Sequence, residues 1–302
     1  MCTAAAKYFK GVGWVLAKNR DQDYVSDTTF VDEKDPNVGE ILFMKDKDID
    51  YREGMNYKGL TIITTSLVPR ISLETNSKDG ELIVKALKMS DPEKAAKFLI
   101  TQKLTGYIFV SNAEKLVLIE AAKKDNGEGE YQATSRIIPH TETVVRTNHG
   151  VEFAWAGFQF GVTSQQDIWR KSSEKRKQIA EQTLKKATDA KSMLEALAAK
   201  VESNLQMNVF RVENKPRQMR TIFQWALVPS QHIVVIRPIQ SKMNLKVTHE
   251  KISVEVLDNE PIKKIYDGRI KHFTKLEVSK TEKHIKAVQT EQFLGFIDYL
   301  RK

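Results

Sequence analysis

The amino-acid sequence predicts an α+β fold with antiparallel sheets. Two observations support this prediction: β-branched apolar runs are joined by short turn-like segments, and helical periodicity occurs in separate blocks and does not alternate with the strands. The chain has 302 residues, of which 41% are hydrophobic and 29% charged. This composition is typical of a globular protein, and the length is ample for a buried core. The sequence shows neither an internal repeat nor a low-complexity linker.

Short strands and two helices are expected in the first half. Small apolar residues at 3–6 and 13–17 flank a turn-like segment and predict a hairpin at the start of the chain. In the second of the two helices, Ser90 or Asp91 can cap and Pro92 can occupy the first turn. The further strand-like runs lie at 39–45, 60–68, 106–122 (a hairpin turning at 111–114) and 144–148, and the helical runs at 80–88 and 90–104.

The second half begins with helical periodicity over residues 172–204, where Ile179, Leu184 and Leu197 belong to one apolar stripe. The stripe is expected to form two segments. Strand-like runs at 220–228 and 232–239 then predict a hairpin around Pro229. The tail alternates strand-like and helix-like pieces and ends in a predicted amphipathic helix at 290–302.

The charge balance is basic, with a net charge of +9. The lysines are dispersed and not interleaved with aromatic residues, so a solvated surface is favoured and a nucleic-acid partner is not expected. No apolar stretch has the length of a membrane span, and the start of the chain lacks a signal-peptide pattern. We therefore predict a cytoplasmic protein without a membrane partner.

Cysteine and histidine usage argues against a metal or a cofactor. A single cysteine excludes an internal disulfide and a thiolate metal cluster, and the six histidines lack metal-ligand spacing. Gly11 and Gly13 are not followed by the third glycine of a dinucleotide-binding turn. We expect no metal and no cofactor.

The one cysteine, Cys2, directly follows Met1. Methionine before a small residue is usually removed after synthesis, and removal would give Cys2 both a thiol and a free α-amino group. Their pKa values in model compounds are about 8.5 and about 7.7–8.0, so both groups titrate near physiological pH. Such a residue can supply nucleophile and general base together. The alternative is a terminal cysteine without a role.

Five short motifs follow one another over residues 2–150. They are Cys2-Thr3, Lys18-Asn19-Arg20-Asp21, GMNYKGL at 54–60, a strand ending at Glu120, and Thr147-Asn148. In this order they resemble the choloylglycine hydrolase and penicillin V acylase family and the related acyl-CoA:6-aminopenicillanate acyltransferase-like proteins. All of these are N-terminal nucleophile hydrolases. The chain departs from the family pattern at Lys18, where arginine is usual, and at Tyr57, where glutamate is usual.

The resemblance implies a four-layer αββα sandwich in which residues 1–302 form one domain, with the motifs in 1–150 and further helices and strands in 151–302. It also implies an amidase that cleaves a linear, non-peptide bond in a small N-acylated molecule through a thioester. Acyl transfer to an amine and dipeptidase-like hydrolysis are the enzymatic alternatives. A basic nucleic-acid-binding protein without catalysis is an alternative of another class, and a homo-oligomer stays open.

The resemblance also implies roles for individual residues. Cys2 would be the nucleophile, Asp21 (or its competitor Asp23) would hold the α-amino group, and Asn148 would face the oxyanion. Lys18 would supply the cation that lowers the thiol pKa. Arg20 shares a strand face with Lys18 and could take over that role. The alternative for Lys18 is an ordinary exposed lysine.

Three residues are expected at the substrate: Ser66, near a second oxyanion donor, Asn56 within GMNYKGL, and His149. His149 is expected to pack or to contact substrate, because the α-amine would already serve as base. A family arginine would be Arg170 or Arg176. Trp14, Trp155 and Phe158 could line an acyl pocket, but the core is the favoured place for them.

Overall fold

The structure of the protein is a computed structural model. Fourteen strands and four α-helices lie in the described part of the chain, which belongs to one compact unit, Met1–Leu257. The structure describes residues 1–22, 27–46, 51–67, 76–124, 129–202, 204–211, 219–239, 243–244 and 251–257. No helix among these residues is long and apolar enough to cross a membrane.

The first sheet has six strands in the order β10-β1-β2-β11-β12-β14. All neighbours are antiparallel except β12 and β14, which are parallel. Its strands are β1 (Cys2–Phe9), β2 (Gly13–Gln22), β10 (Val144–Arg146), β11 (Arg220–Val228), β12 (Ile233–Pro238) and β14 (Ser253–Val256). The strand that begins at Cys2 is therefore interior, between β10 and β2.

The second sheet has eight strands in the order β13-β3-β4-β5-β6-β7-β8-β9, and only β13 and β3 pair in parallel. Its strands are β3 (Thr28–Asp35), β4 (Gly39–Asp46), β5 (Tyr51–Asn56), β6 (Thr61–Thr65), β7 (Gly106–Ser111), β8 (Leu116–Lys123), β9 (Tyr131–Ile137) and β13 (Met243–Asn244). Most neighbours in sequence are also neighbours in space, as in a meander of hairpins.

Three buried apolar clusters separate four layers. The central cluster joins the inner faces of the two sheets, including Trp14 and Leu16 of the first and Met44 and Met55 of the second. A second cluster packs the outer face of the eight-stranded sheet against α1 (Asn76–Leu87) and α2 (Pro92–Thr101). A third packs the outer face of the six-stranded sheet against α3 (Ser164–Leu184) and α4 (Ala190–Leu197). The predicted αββα sandwich is confirmed.

Local sequence explains where the helices begin. Asp91 accepts hydrogen bonds from the backbone N–H groups of Glu93 and Lys94, with Pro92 in the first turn of α2. Thr163 caps α3, and Asp189 forms a reciprocal capping box with Ser192 on α4. These side chains satisfy N–H groups that have no partner within the helix.

Most predicted elements are confirmed, with shifted boundaries. The hairpin around Pro229 and the two-segment helix are present, but α3 begins at Ser164, eight residues before the predicted start, and α4 ends at Leu197. Strands β3, β5 and β9 were not predicted, because charged residues interrupt their apolar pattern. The helix predicted at 290–302 lies outside the described residues, as does Asp23.

Candidate active site

Cys2 is the first residue of an interior strand, and its side chain faces the space between the two sheets. Ala4 and Ala6, on the same face of β1, belong to the central apolar cluster, whereas Ala5 packs against the α3–α4 layer. Cys2 is only 7% exposed. The strand period therefore carries the thiol into the interior of the sandwich.

Lys18 and Arg20 lie on the same inward face, on the neighbouring strand β2, where Cys2 is paired with Arg20. Both are fully buried, so the alternative of an ordinary exposed Lys18 is wrong. The Lys18 Nζ lies 2.6 Å from Glu53 Oε1 and donates to the carbonyl oxygen of Thr64 at 2.5 Å. Arg20 pairs with Asp46 and lies over the ring of Tyr51, with its Cζ 4.2 Å from the ring centroid.

These cations act on the thiol. Burial by itself would raise the pKa of Cys2, but the charges of Lys18, the N-terminal ammonium and Arg20 outweigh burial and hold the pKa below its usual value. A lowered pKa increases the thiolate fraction at neutral pH, which is the reactive form. The cations around Cys2 therefore favour the thiolate form of this buried cysteine.

Asn148 and Arg176 hold the backbone of Cys2. The Cys2 N–H donates to Asn148 Oδ1 at 3.2 Å, and the Arg176 guanidinium donates to the Cys2 carbonyl oxygen at 2.9 Å and to Asn148 Oδ1 at 3.0 Å. The Asn148 amide nitrogen donates to the Ser66 carbonyl oxygen at 2.9 Å and to Thr65 Oγ1 at 3.2 Å. The oxygen end of the carboxamide thus faces Cys2, while the nitrogen end faces the end of β6.

Arg176, and not Arg170, is the arginine at this site. Arg170 forms an ion pair with Glu174 and donates to the Phe158 carbonyl oxygen. Arg176 is fully buried, and burial, followed by the charge of Arg211, lowers its pKa to about 9. It therefore remains charged at neutral pH.

Asp21 lies at the end of β2, on the opposite face of the sheet from the Cys2 side chain. Its backbone exchanges two hydrogen bonds of 3.0 Å with Met1, which extends β1 by one residue. Its carboxylate accepts from Thr221 Oγ1 at 2.8 Å, and Arg211 lies 3.7 Å from Oδ2. Among the described residues, that buried Oδ2 has no hydrogen-bond partner.

His149 is a packing residue in this structure. Its Nδ1 lies 2.8 Å from Ser173 Oγ and 3.2 Å from Thr147 Oγ1, and the residue is 5% exposed. Burial, followed by the charge of Arg170, lowers its pKa to about 3, so the ring is neutral at physiological pH. The contacts of its Nδ1 are with Ser173 and Thr147, and the lowered pKa makes this imidazole a weak proton acceptor.

Ser66 and Asn56, the two other residues expected to contact substrate, lie in different parts of the structure. Ser66 is exposed and follows β6, and its carbonyl oxygen binds Asn148. Asn56 points to the α1–α2 layer, because side chains alternate along β5 and Met55 faces the central cluster. Its amide donates to the Leu87 and Met89 carbonyl oxygens at 2.6 Å. The structure does not bring Asn56 to the site.

A surface cavity of about 390 Å³ opens near Asn56, lined in part by Val38, Met89 and Lys94. It lies on the outer side of the eight-stranded sheet, whereas Cys2 faces the space between the sheets. This cavity is not part of the site.

The aromatic residues agree with the favoured expectation: Trp14 and Phe158 are buried, and Trp155 packs against the central cluster.

The segment after Asn148 is held close to the site by Glu120 and Gly157. The Glu120 carboxylate accepts from the backbone N–H groups of residues 151–153 at 2.9–3.0 Å. Gly157 has a φ of +70°, and a Cβ there would lie 2.4 Å from the Asn148 carbonyl oxygen. Only glycine permits this approach without strain.

Several residues at the site were not found from the sequence. Glu53, Asp46, Thr65, Ser173 and Arg211 contact the predicted residues but lie in runs without a recognisable motif. The i, i+3 spacing of Ser173 and Arg176 places both on one face of α3. That spacing could have suggested a shared surface, but not what it faces.

Comparison with known proteins supports the fold. No protein-family model and no curated protein sequence matches the chain. Among solved structures, it is similar to an N-acylethanolamine-hydrolyzing acid amidase ortholog from Caenorhabditis elegans, with 16% identity, 76% of this chain and 93% of that chain covered, and a TM-score of 0.50. The chain therefore shares the αββα sandwich fold of this solved structure.

Two further solved structures are similar to this chain at lower TM-scores. One is a mutant of the conjugated bile acid hydrolase from Clostridium perfringens, with 11% identity and a TM-score of 0.46. The match covers 85% of this chain and 99% of that chain. The other is penicillin V acylase from Agrobacterium tumefaciens, with 9% identity and a TM-score of 0.43. The match covers 84% of this chain and 95% of that chain.

Proposed function

We propose that the protein is a cysteine amide hydrolase that cleaves a linear, non-peptide N-acyl amide of a small molecule through a thioester. The observation that carries the proposal is the convergence on Cys2 of a cationic face, a carboxamide and an arginine. The thiol shares its face with Lys18 and Arg20, and Asn148 and Arg176 bind the backbone on either side of its Cα.

Removal of Met1 would convert the Cys2 backbone nitrogen into an α-amine. That nitrogen already lies 3.2 Å from Asn148 Oδ1, so one acceptor is in place for the amine. The same removal would free both backbone groups of Asp21 from Met1. We expect the Asp21 carboxylate, whose Oδ2 accepts no hydrogen bond from the described residues, to supply a second acceptor.

In the proposed first step the α-amine takes the thiol proton, and the sulfur attacks the amide carbonyl carbon. A C–S bond forms and the carbonyl oxygen becomes an oxyanion. The Asn148 amide nitrogen is the proposed donor to it, because its 3.2 Å bond to Thr65 Oγ1 is the longer of its two and the easier to exchange. A preorganised donor of this kind is worth about 2.7–4 kcal/mol in the barrier.

In the second step the C–N bond breaks, and the ammonium returns its proton to the departing amine. The α-amine then takes a proton from water, and the water oxygen attacks the acyl carbon of the thioester. The C–S bond breaks, the carboxylic acid departs, and the ammonium returns its proton to the thiolate of Cys2. An amine in place of water would give acyl transfer. Product analysis with and without an added acceptor amine separates these two outcomes.

The proposal is tested with Cys2→Ala and a panel of N-acyl amides: phenoxyacetyl and phenylacetyl amides, bile-salt conjugates, N-acylethanolamines and N-acyl amino acids. Intact mass reports whether Met1 is absent from active protein. We expect Cys2→Ala to lower kcat/KM by roughly 10³–10⁶-fold for the substrates that the wild type cleaves. Activity that survives in Cys2→Ala, or active protein that retains Met1, would contradict the mechanism.

A further inference from the structure

The inference concerns Lys18, which is fully buried on the inward face that it shares with Cys2. Lysine and arginine differ when they are buried. Arginine has the higher intrinsic pKa and stays protonated near neutral pH even when it is buried, whereas desolvation lowers the pKa of a buried lysine by up to about 3–5 units. A buried lysine therefore needs a neighbouring group that stabilises its charged form.

Glu53 is placed to do this. It lies on β5, directly across the central layer from β2, and neither its side chain nor that of Lys18 has any exposed surface. Glu53 Oε1 lies 2.6 Å from the Lys18 Nζ and accepts the Thr64 N–H at 2.5 Å. The Tyr51 hydroxyl accepts from Lys18 and donates to Glu53, and its oxygen is 2.7 Å from Thr64 Oγ1.

The other charged groups on this inner face do not replace Glu53. Arg20, on the same strand as Lys18, pairs with Asp46 of β4, so Asp46 is the counter-charge of Arg20. The Met1 ammonium and the Cys2 thiol lie at the start of β1, and Asp21 faces the α3–α4 layer. Among the described residues, Glu53 is the one carboxylate paired with Lys18.

We propose that Glu53, together with the Tyr51 hydroxyl, is a positioning residue that keeps the Lys18 ammonium charged and fixed on the inward face that it shares with Cys2. This inference deepens the proposed function and rests on it. Glu53 acts on the thiol only through Lys18. The tyrosine stays in place because its ring also contacts Arg20.

Electrostatic effects act on both ends of this contact. Lys18 is the largest of the charges that lower the pKa of Cys2, whereas burial raises the pKa of Glu53 and Lys18 opposes that rise. Removing the Glu53 charge would leave Lys18 buried without a counter-charge. We then expect the charged form of Lys18 to be destabilised, which weakens the strongest electrostatic partner of the thiol.

The test uses the single cysteine of the chain, because the ultraviolet absorbance of its thiolate, measured against Cys2→Ala, reports Cys2 alone. Wild type, Glu53→Gln, Lys18→Arg and the double variant Lys18→Arg/Glu53→Gln are titrated, with Met1 status matched by intact mass. In Glu53→Gln we expect the thiol pKa to rise by about one unit or more, which is about tenfold less thiolate at a fixed lower pH. The double variant is expected to return the thiol pKa close to that of Lys18→Arg, because arginine keeps its charge without Glu53.

Two results would overturn the inference. One is an unchanged or lower thiol pKa in Glu53→Gln. The other is a raised pKa that Lys18→Arg does not rescue, because a merely structural role of Glu53 would not depend on which cation stands at position 18.

If Glu53→Gln does not fold, the test is nitrogen-15 NMR of wild-type protein labelled at its lysine side chains. The signal that is missing in Lys18→Arg is assigned to the Lys18 side-chain nitrogen. The Lys18 resonance must remain that of an ammonium at every pH at which the thiolate forms, and a neutral amine there overturns the inference. None of these measurements requires turnover. Failure of the amide panel would therefore remove the proposed function and still leave the thiol result readable.

Discussion

Gly157→Ala should be the more damaging of two alanine substitutions that look alike in the sequence. Gly157 and Gly161 both have left-handed φ values, +70° and +76°. A Cβ at Gly157 would lie 2.4 Å from the Asn148 carbonyl oxygen and 2.9 Å from that of Leu67, whereas a Cβ at Gly161 would meet nothing within 4 Å. The two variants share the backbone strain, and only the first has the overlap.

The magnitude follows from these two terms. An alanine in the left-handed region costs about 1–2 kcal/mol, and overlap with backbone atoms that have little freedom to move adds about 1–3 kcal/mol. For a unit of this size each kcal/mol lowers Tm by about 2–4 °C. We therefore expect Gly157→Ala to lower Tm by about 4–20 °C and Gly161→Ala by about 2–8 °C.

Thermal unfolding of both variants measures the difference, and kcat on an amide that the wild type cleaves measures the effect on the site. Because the overlap pushes against Asn148, kcat should fall by about 10–100-fold in Gly157→Ala. It should stay near the wild-type value in Gly161→Ala. Equal losses of stability in the two variants would refute the packing argument.

Two further predictions concern His149 and Glu120. The pKa of His149 is lowered from 6.5 to about 3. Between these two pH values the unfolded chain binds a proton at His149 that the folded protein does not bind. As the pH falls from 6.5 to about 3, this residue should therefore reduce the free energy of unfolding by about 1.4 kcal/mol for each pH unit. Urea unfolding of His149→Gln should therefore depend less steeply on pH than wild type below 6.5; parallel curves would contradict the assignment. Glu120→Gln removes the charge that accepts three backbone N–H groups and should cost about 1–3 kcal/mol, with faster hydrogen exchange at residues 151–153. Unchanged exchange there would show that Glu120 does not hold this turn.

Part of the site could be read from the sequence because its residues lie in short, ordered motifs. Cys2, Lys18, Arg20 and Asn148 do meet, since β1, β2 and β10 are neighbours in one sheet and an alternating strand puts residues 18 and 20 on one face. The same rule shows why Asn56 does not join them. It is an odd number of positions from Glu53, so its side chain points to the opposite face of β5.

The sequence by itself determined the α+β class, most of the strands and helices, and the position of the one thiol at the start of a strand. These properties depend on local patterns: strand alternation, helix caps and turn residues. Only the tertiary structure decided that Lys18 is buried, that Glu53 is its partner, and that Arg176 rather than Arg170 binds Cys2. Those contacts join residues 35 and 174 positions apart, and such pairings depend on how the layers stack, which no local pattern specifies.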